Sequence, residues 1–180
     1  WAWIQHMYAS LNPKGRIGVV MDNGVLFRGS KEAKARKAFL ELDVVDAVIG
    51  LPGNLFANTT SPGCILILDK NKPANRKGKV LFVDASNDYL EGKAQNHLRD
   101  EDITKTLETY TDYKTVERYC SVCNLEEIKE NDYNLNISRY VDTTEPEVPV
   151  IIEEVMQELK DLETQREETN SKLSDYLKEL

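Results

Sequence analysis

The 180-residue length is typical of one domain, or of one domain with an appendage. A hydrophobic content of 41% is sufficient for an apolar core and excludes a fully disordered chain. The sequence contains no apolar run of membrane-spanning length and no signal-peptide pattern, and its three cysteines suit a reducing compartment, so we expect a cytoplasmic protein without membrane association.

The net charge of −8 is distributed unevenly along the chain. Residues 1–80 contain 12 Lys and Arg against 6 Asp and Glu, whereas residues 81–180 contain 11 against 25. The first part is therefore basic and the second acidic. Of the two, only the first suits contact with nucleic-acid phosphates.

Apolar, β-branched runs in the first part of the chain predict four strands buried in a sheet, at residues 17–21, 44–51, 65–68 and 80–83. Between the first two runs, Ser30 is expected to cap a helix with an apolar stripe of Ala35, Ala38, Phe39 and Leu42. Polar residues 71–78 predict a hairpin-like link, and residues 84–88 are expected to end the sheet. Alternation of apolar strands with a helix indicates an α/β fold with covered sheet faces.

The remaining residues predict helices and a linker. Residues 89–118 favour short helices, residues 119–128 a short strand and a turn, and proline-containing residues 143–149 a linker. From residue 150 onwards, positions spaced by three and four form the heptad seam of a coiled-coil-type helix about 50 Å long, with two polar positions in its middle: Ile152, Val155, Leu159, Leu162, Arg166, Thr169, Leu173, Tyr176 and Leu180. Such a helix cannot bury its seam alone, so it needs a partner.

Several segments carry a resemblance to a known family: GVLFRG at 24–29, ARKAFLE at 35–41, AVIGLPGNLFANTTSPGCILIL at 47–68, VLFVDAS at 80–86 and NDYNLNISRYV at 131–141. Over nearly its whole length, the chain resembles the later part of the modification (M) subunit of type I restriction–modification enzymes. The resemblance implies transfer of a methyl group from S-adenosylmethionine to adenine N6 in DNA. It also implies the C-terminal half of a Rossmann-like methyltransferase sheet, followed by short helices and a long coiled-coil-type helix.

Two motifs of that family do not occur, namely the glycine-rich cofactor loop and the Asn-Pro-Pro-aromatic motif that holds the target amine. The sequence contains neither Gly-x-Gly nor Pro-Pro. We therefore expect a fragment that begins after both motifs, has no catalytic or cofactor-binding residue of its own, and is inactive alone. Residues 1–88 would be the C-terminal part of the catalytic domain, 89–145 a helical or irregular extension, and 146–180 a linker and docking helix.

The LPGNLF segment at 51–56 is the main candidate for a binding site. In related adenine methyltransferases an aromatic residue in this loop faces the base that is flipped out of the duplex, and Phe56 matches that residue. The alternative is a strand-ending turn with Phe56 packed inside. Candidates for contact with the DNA backbone are Arg28, Lys31, Asn58, Thr59 and Thr60.

Two other groups of residues favour ordinary structural roles. The first is the basic cluster of Arg28, Lys31, Lys34, Arg36 and Lys37 around a helix start, which would usually be a solvated face; contact with DNA phosphates or with a neighbouring subunit is the alternative. The same two interpretations apply to a basic loop, which consists of Lys70, Lys72, Arg76, Lys77 and Lys79. Cys120 and Cys123 form a CxxC pattern, but zinc requires four ligands, and the remaining candidates, Cys64, His6 and His97, are scattered. We expect the cysteines to pack in the core and to hold no metal.

The resemblance also implies partners. These are DNA, a specificity (S) subunit bound through the helix at 150–180, a restriction (R) subunit in the full complex, and a second M subunit. Without the resemblance, the alternative would be a non-enzymatic coiled-coil assembly protein on an α/β base.

Overall fold

The computed structural model describes residues 1–144 and 152–178, and the chain divides into two compact units, Trp1–Thr144 and Glu145–Leu180. The first unit contains five strands: β1 (Arg16–Asp22), β2 (Val45–Gly50), β3 (Gly63–Asp69), β4 (Lys79–Asp84) and β5 (Cys120–Asn124). Its helices are α1 (Ala2–Ser10), α2 (Ser30–Glu41), α3 (Asp100–Asp112) and α4 (Leu125–Glu130). Short 3-10 helices form at Asn23–Leu26, Ala74–Arg76 and Ile137–Arg139.

The five strands form one sheet in the order β1-β3-β2-β4-β5. Within the described residues, β2 and β4 pair in parallel, and every other neighbouring pair of strands is antiparallel. Because β3 runs opposite to both β1 and β2, the strands β1, β2 and β4 all point in the same direction. Their carboxyl ends therefore lie at one edge of the sheet.

Apolar side chains cover both faces of the sheet. Successive side chains of a strand point to opposite faces, so a continuous apolar run supplies both. On the first face, Val48, Leu66 and Phe82 pack with Ile4 of α1 and Phe39 of α2. On the second face, the buried cluster consists of Ala47, Ile49, Leu81, Val83, Ala85, Tyr113 and Cys120. The predicted α/β class is confirmed as a mixed sheet with helical cover.

The second face is less completely covered at the β1 side. There, an open apolar cavity of about 220 Å³ lies between Ile65 and Ile67 of β3 and Ile103 and Leu107 of α3. Val20 of β1 pairs with Ile65 and is 53% exposed. The prediction that residues 17–21 form a strand buried on both faces is therefore wrong, because β1 is the outermost strand of the sheet and pairs with β3 alone.

The link between β3 and β4 is also different from the prediction. It is not hairpin-like, because β2 lies between the two strands that it joins. Residues 70–78 must cross the end of β2, and Lys72 fixes that crossing. Its buried ammonium donates hydrogen bonds to Asp43 Oδ1 at 2.7 Å, to the Val45 carbonyl at 3.1 Å and to the Lys79 carbonyl at 2.6 Å.

The sheet continues beyond residue 88, where we had expected its end. The strand predicted within 119–128 forms as β5 and extends the sheet next to β4. In residues 89–118, one 13-residue helix, α3, replaces the expected short helices. Residues 85–119 are therefore a long connection between β4 and β5, and the sheet does not end before them.

The helix α2 forms where predicted, but with a different buried face. Its buried residues are Arg36, Phe39 and Leu40, whereas Leu42 is 58% exposed. Gly29, rather than Ser30, occupies the N-cap position, and no side-chain hydrogen bond caps the helix. The apolar stripe was misassigned because Arg36 occupies an inward-facing position.

Arg36 lies in the interior because backbone carbonyls surround its guanidinium. Its Nε donates to the Tyr133 carbonyl at 2.8 Å, and its Nη1 donates to the Arg28 carbonyl at 2.9 Å. The side chain thus joins α2 to the segment directly before it and to the segment around Tyr133, which is 97 positions further along the chain. Part of the predicted basic cluster is therefore structural, while Lys31, Lys34 and Lys37 are exposed.

The second unit contains one described helix, α5 (Ile152–Lys178). Among its described side chains, Val155, Leu159 and Leu162 of the predicted seam are exposed, as are Arg166 and Thr169. The seam positions 152, 173, 176 and 180 lie outside the residues whose side chains are described. None of the helices in the described ranges has the length and apolarity needed to cross a membrane.

The buried position of Arg36 leads to a stability prediction. Arg36→Met should lower the free energy of unfolding of the 180-residue chain by about 3 kcal/mol, because buried carbonyls lose charged donors. Urea unfolding followed by circular dichroism measures the loss. The control is Lys37→Met, because Lys37 is the next residue of the helix and is exposed. This substitution should change the free energy of unfolding by less than about 0.5 kcal/mol. Equal effects of the two substitutions would contradict the structural role of Arg36.

Candidate functional site

The candidate site lies at the edge where β1, β2 and β4 end. Its centre is the segment of residues 51–61 between β2 and β3, which we name the aromatic loop. Hydrogen bonds close the loop, from the Leu51 amide to the Gly63 carbonyl at 2.9 Å and from the Asn54 amide to the Thr60 carbonyl at 3.1 Å. In open α/β sheets, ligands bind at the carboxyl ends of strands, so the loop occupies a favourable position for a site.

Asparagines allow the tight turns of the aromatic loop. Asn54 and Asn58 have φ angles of +54° and +66°, a left-handed region that asparagine tolerates better than most residues. Within the same loop, Phe56 and Thr59 form an isolated antiparallel bridge. The result is a short, folded projection with Phe56 near its tip.

Phe56 is half-buried and lies against the backbone of β3 instead of in either apolar cluster. A Cβ atom added to Gly63 would lie 3.0 Å from Phe56 Cε2, so the glycine lets the ring approach the strand closely. Phe56 lines an open cavity of about 580 Å³ and a second one of about 250 Å³. The side chain is therefore close to β3 and also accessible from two cavities.

Polar groups surround the accessible part of the ring. The larger cavity is lined by Asn54, Phe56, Ala57, Asn58, Thr59, Thr60, Ala94 and Gln95. The smaller one is lined by Val20, Met21, Asp22, Phe56, Thr59, Ser61, Pro62 and Gly63. An aromatic face beside amides and hydroxyls can stack on a flat heterocycle and hydrogen-bond to its edge.

The structure brings together most of the residues that the sequence singled out. Asn58, Thr59 and Thr60 are exposed around Phe56. Arg28 reaches the rim of the smaller cavity through Asp22, whose Oδ2 accepts a hydrogen bond from Arg28 Nη2 at 2.8 Å. Lys31 is exposed but lines neither cavity.

The second basic loop has mainly structural contacts. Lys72 is buried, and Arg76 Nη1 forms an ion pair at 3.2 Å with the buried Asp46. Lys70 donates to the Leu11 carbonyl at 2.8 Å. These contacts use the charges internally, so the expectation of a wholly solvated loop is wrong for these three residues.

Sequence reasoning missed the residues that support the aromatic loop from the other side. The side chain of Asn96 donates to the Gly53 carbonyl at 2.9 Å, although the two residues are 43 positions apart. Gln95 donates to the Leu55 carbonyl and lines the larger cavity. No local pattern marks such contacts, because they depend on two loops meeting at the same sheet edge.

The CxxC cysteines lie on opposite faces of the sheet. They are three positions apart on β5, and successive side chains of a strand alternate, so Cys123 joins the first-face cluster and Cys120 the second. Burial raises the pKa of Cys64 to about 12 and that of Cys123 to about 11, and it also raises the pKa of Cys120. Across the described residues, no three His, Cys, Asp or Glu side chains are grouped closely enough to hold a metal ion.

This burial predicts unreactive thiols. In the native chain at pH 8, iodoacetamide should label Cys64, Cys120 and Cys123 at least about a hundredfold more slowly than in urea, because burial suppresses the reactive thiolate and blocks access to it. Mass spectrometry of quenched samples measures each site. Rapid labelling of Cys120 or Cys123 without unfolding, or a disulfide between them, would contradict the opposite-face arrangement.

Comparisons with known proteins identify the family of the chain. The sequence profile described as N-6 DNA Methylase matches residues 1–148. The chain therefore belongs to the N-6 DNA methylase family.

Individual relatives are more specific. The chain is 44% identical over 183 residues to the type I restriction enzyme MjaVIII methylase subunit of Methanocaldococcus jannaschii, covering 100% of this chain and 31% of that protein. It is 39% identical over 154 residues to the HindI methylase subunit of Haemophilus influenzae, covering 81% of this chain and 34% of the relative. The resemblance to type I M subunits is thus confirmed, and the chain spans about a third of the length of these relatives.

Solved structures agree with this assignment. The type I restriction–modification methyltransferase subunit from Streptococcus thermophilus is similar with a TM-score of 0.74 and 45% identity, over 78% of this chain and 30% of that one. The EcoKI M protein has the same fold over 88% of this chain and 41% of its own, with a TM-score of 0.63 and 20% identity.

Proposed function

We propose that the chain is part of the M subunit of a type I restriction–modification enzyme that methylates adenine N6 in DNA, with S-adenosylmethionine as methyl donor. The observation that carries the proposal is Phe56, a supported and accessible aromatic ring at the carboxyl edge of the sheet in a chain of the N-6 DNA methylase family. An enzyme that modifies a base must take it out of the duplex and hold it against such a surface.

Each residue of the site then has a role. Phe56 stacks on the flipped adenine, and the amides and hydroxyls beside the ring stabilise the extruded nucleotide. Asn58, Thr59 and Thr60 contact the DNA backbone, together with Arg28 and Lys31. The excess of positive charge in residues 1–80 supports a backbone contact in this part of the chain.

The chain alone is not expected to carry out the reaction. The sequence contains no Gly-x-Gly cofactor loop and no Asn-Pro-Pro-aromatic motif that could hold the target amine. S-adenosylmethionine supplies the transferred methyl group, but we assign no residue of this chain to it. We propose that both motifs belong to the part of the relatives' length that this chain does not span.

The helix α5 is proposed to dock on the S subunit as part of a coiled coil. Exposed Val155, Leu159 and Leu162 are spaced as a heptad seam, and Arg166 and Thr169 continue that spacing with polar side chains. Polar seam positions select register and partner at some cost in stability. An R subunit and a second M subunit would complete the assembly.

The base-stacking role predicts a specific loss of activity. In the whole M subunit assembled with its S subunit, Phe56→Ala should lower methyl transfer to unmodified DNA about fivefold to a hundredfold, since base–aromatic stacking contributes about 1–3 kcal/mol. Affinity for S-adenosylmethionine should not change. Radiolabelled methyl transfer and calorimetric titration of the cofactor measure the two effects.

A matched control is Phe27→Ala, which removes another half-exposed phenylalanine ring that lines neither cavity next to Phe56. Phe56→Trp should keep most of the activity, because it retains a stacking face. Unchanged turnover of a folded Phe56→Ala enzyme would assign the ring to packing and overturn its base-stacking role. An assembly of native M and S subunits that transfers no methyl group would favour the non-enzymatic assembly alternative.

The docking role predicts loss of assembly without loss of the fold. Deleting residues 150–180 should leave a folded M subunit that no longer co-purifies with the S subunit. A double substitution, Leu159→Glu with Leu162→Glu, should have the same effect, because two charges would enter the apolar seam. Lys160→Ala, outside the seam, is the control. Normal assembly of the truncated subunit would rule out the docking role.

A further inference from the structure

A second loop at the same sheet edge holds the aromatic loop in place. It consists of residues 90–97, and we name it the bracing loop. Two backbone hydrogen bonds close it, from the Leu90 amide to the His97 carbonyl at 2.8 Å and from the His97 amide to the Leu90 carbonyl at 3.0 Å. Inside it, Gly92 makes a tight turn, since a side chain there would collide with the Gln95 carbonyl. The bracing loop is therefore a compact element of its own.

The bracing loop donates hydrogen bonds to three consecutive carbonyls directly before Phe56. Asn96 Nδ2 donates to the Gly53 carbonyl at 2.9 Å, and the Asn96 amide donates to the Asn54 carbonyl at 2.8 Å. Gln95 Nε2 donates to the Leu55 carbonyl. In return, Asn54 Nδ2 donates to the Ala94 carbonyl at 3.4 Å. The side chains of Gln95 and Asn96 are both half-buried.

This arrangement matters because the aromatic loop has few other anchors near its tip. Residues 57–60 are exposed, and Phe56 joins neither apolar cluster. An unsupported loop would have to be ordered each time a ligand binds, and the lost conformational entropy would weaken binding. Hydrogen bonds from the bracing loop instead order the aromatic loop when the protein folds, before any ligand binds.

Strand direction explains why these two loops meet. The aromatic loop leaves the carboxyl end of β2, and the chain that leads to the bracing loop leaves the carboxyl end of its parallel neighbour β4. Ala94 and Gln95 also line the cavity beside Phe56. The brace is thus part of the wall of the site as well as its support.

We propose that Asn96 and Gln95 are positioning residues that hold Phe56 in the orientation needed to stack on the flipped base. This proposal depends on the proposed function of Phe56. Both residues act through the carbonyls of the aromatic loop, and neither takes part in the methyl transfer.

The test uses Asn96→Asp in the whole M subunit assembled with its S subunit. Aspartate has almost the same shape, but its carboxylate cannot donate to the Gly53 carbonyl, so one brace contact is lost without a cavity. The kcat/KM for unmodified DNA should fall about fivefold to tenfold, as expected for one lost hydrogen bond. The KM for S-adenosylmethionine should be unchanged. Lys93→Ala, an exposed position of the same loop, is the matched control and should retain full activity.

A double-mutant cycle distinguishes positioning from general support. If Asn96 acts through Phe56, adding Asn96→Asp to Phe56→Ala should cause almost no further loss, because the ring that is being positioned is absent. Hydrogen exchange at residues 53–56 should be faster in Asn96→Asp than in the native protein, with no change in β2. If Asn96→Asp cannot be purified as a folded protein, Gln95→Ala, which removes the bond to the Leu55 carbonyl, undergoes the same measurements.

The outcomes separate this proposal from the function on which it depends. Full activity of Phe56→Ala would overturn the base-stacking role of Phe56 and the brace together. A loss in Phe56→Ala beside normal DNA kinetics in Asn96→Asp would overturn the brace alone. Fully additive losses in the double mutant, or a matching rise in the KM for S-adenosylmethionine, would also overturn it, since both indicate a general structural role.

Discussion

The parallel pairing of β2 with β4 is the constraint on which the candidate site depends. Ala47 to Gly50 align with Leu81 to Asp84, and the Ala85 amide continues the ladder to the Gly50 carbonyl at 3.2 Å. Because the strands point the same way, the chain leaves both at one edge, where the aromatic loop and the bracing loop can hydrogen-bond. Parallel strands cannot be joined by a tight turn. Here, β3 returns antiparallel, and the following link crosses the amino end of β2, where the buried Lys72 ammonium bonds to three oxygens. Phe56 follows the opposite, carboxyl end of β2.

Buried charges have the same purpose elsewhere in the first unit. Arg36 joins α2 to the segments around Arg28 and Tyr133, and Arg76 pairs with Asp46 beneath α3. In each case a cation binds oxygens from more than one segment of the chain. Removing one such cation leaves these oxygens without their charged donor. The free energy of unfolding therefore falls by more than the net contribution of the hydrogen bonds themselves. The basic residues of the first half therefore divide into internal connectors and exposed side chains, and only the exposed ones can contact DNA phosphates.

The sequence predicted the features that depend on local pattern. The runs that became β2, β4 and β5 were identified, since a continuous apolar run or a short strand pattern is visible without neighbours. Features set by neighbours were mispredicted. β1 appeared to be fully buried because its residues are apolar, yet its position at the edge leaves Val20 exposed. The link after β3 resembled a hairpin because composition does not reveal that β2 lies between the strands. The buried face of α2 was misassigned because an arginine takes an interior place only when carbonyls from distant segments surround it.

The candidate site shows the same division more sharply. Phe56 could be found from its sequence context, but its support could not, since Asn96 and Gln95 carry no motif and act over about 40 positions of chain. The aromatic loop also has uncommon local features, with two residues at positive φ and a phenylalanine outside the core. Such departures persist when surrounding structure determines them, and they concentrate at functional sites. A ring packed fully inside would be more stable and unable to stack on a base. Support by hydrogen bonds to the backbone, instead of by apolar burial of the side chain, lets the loop be rigid while the ring stays accessible.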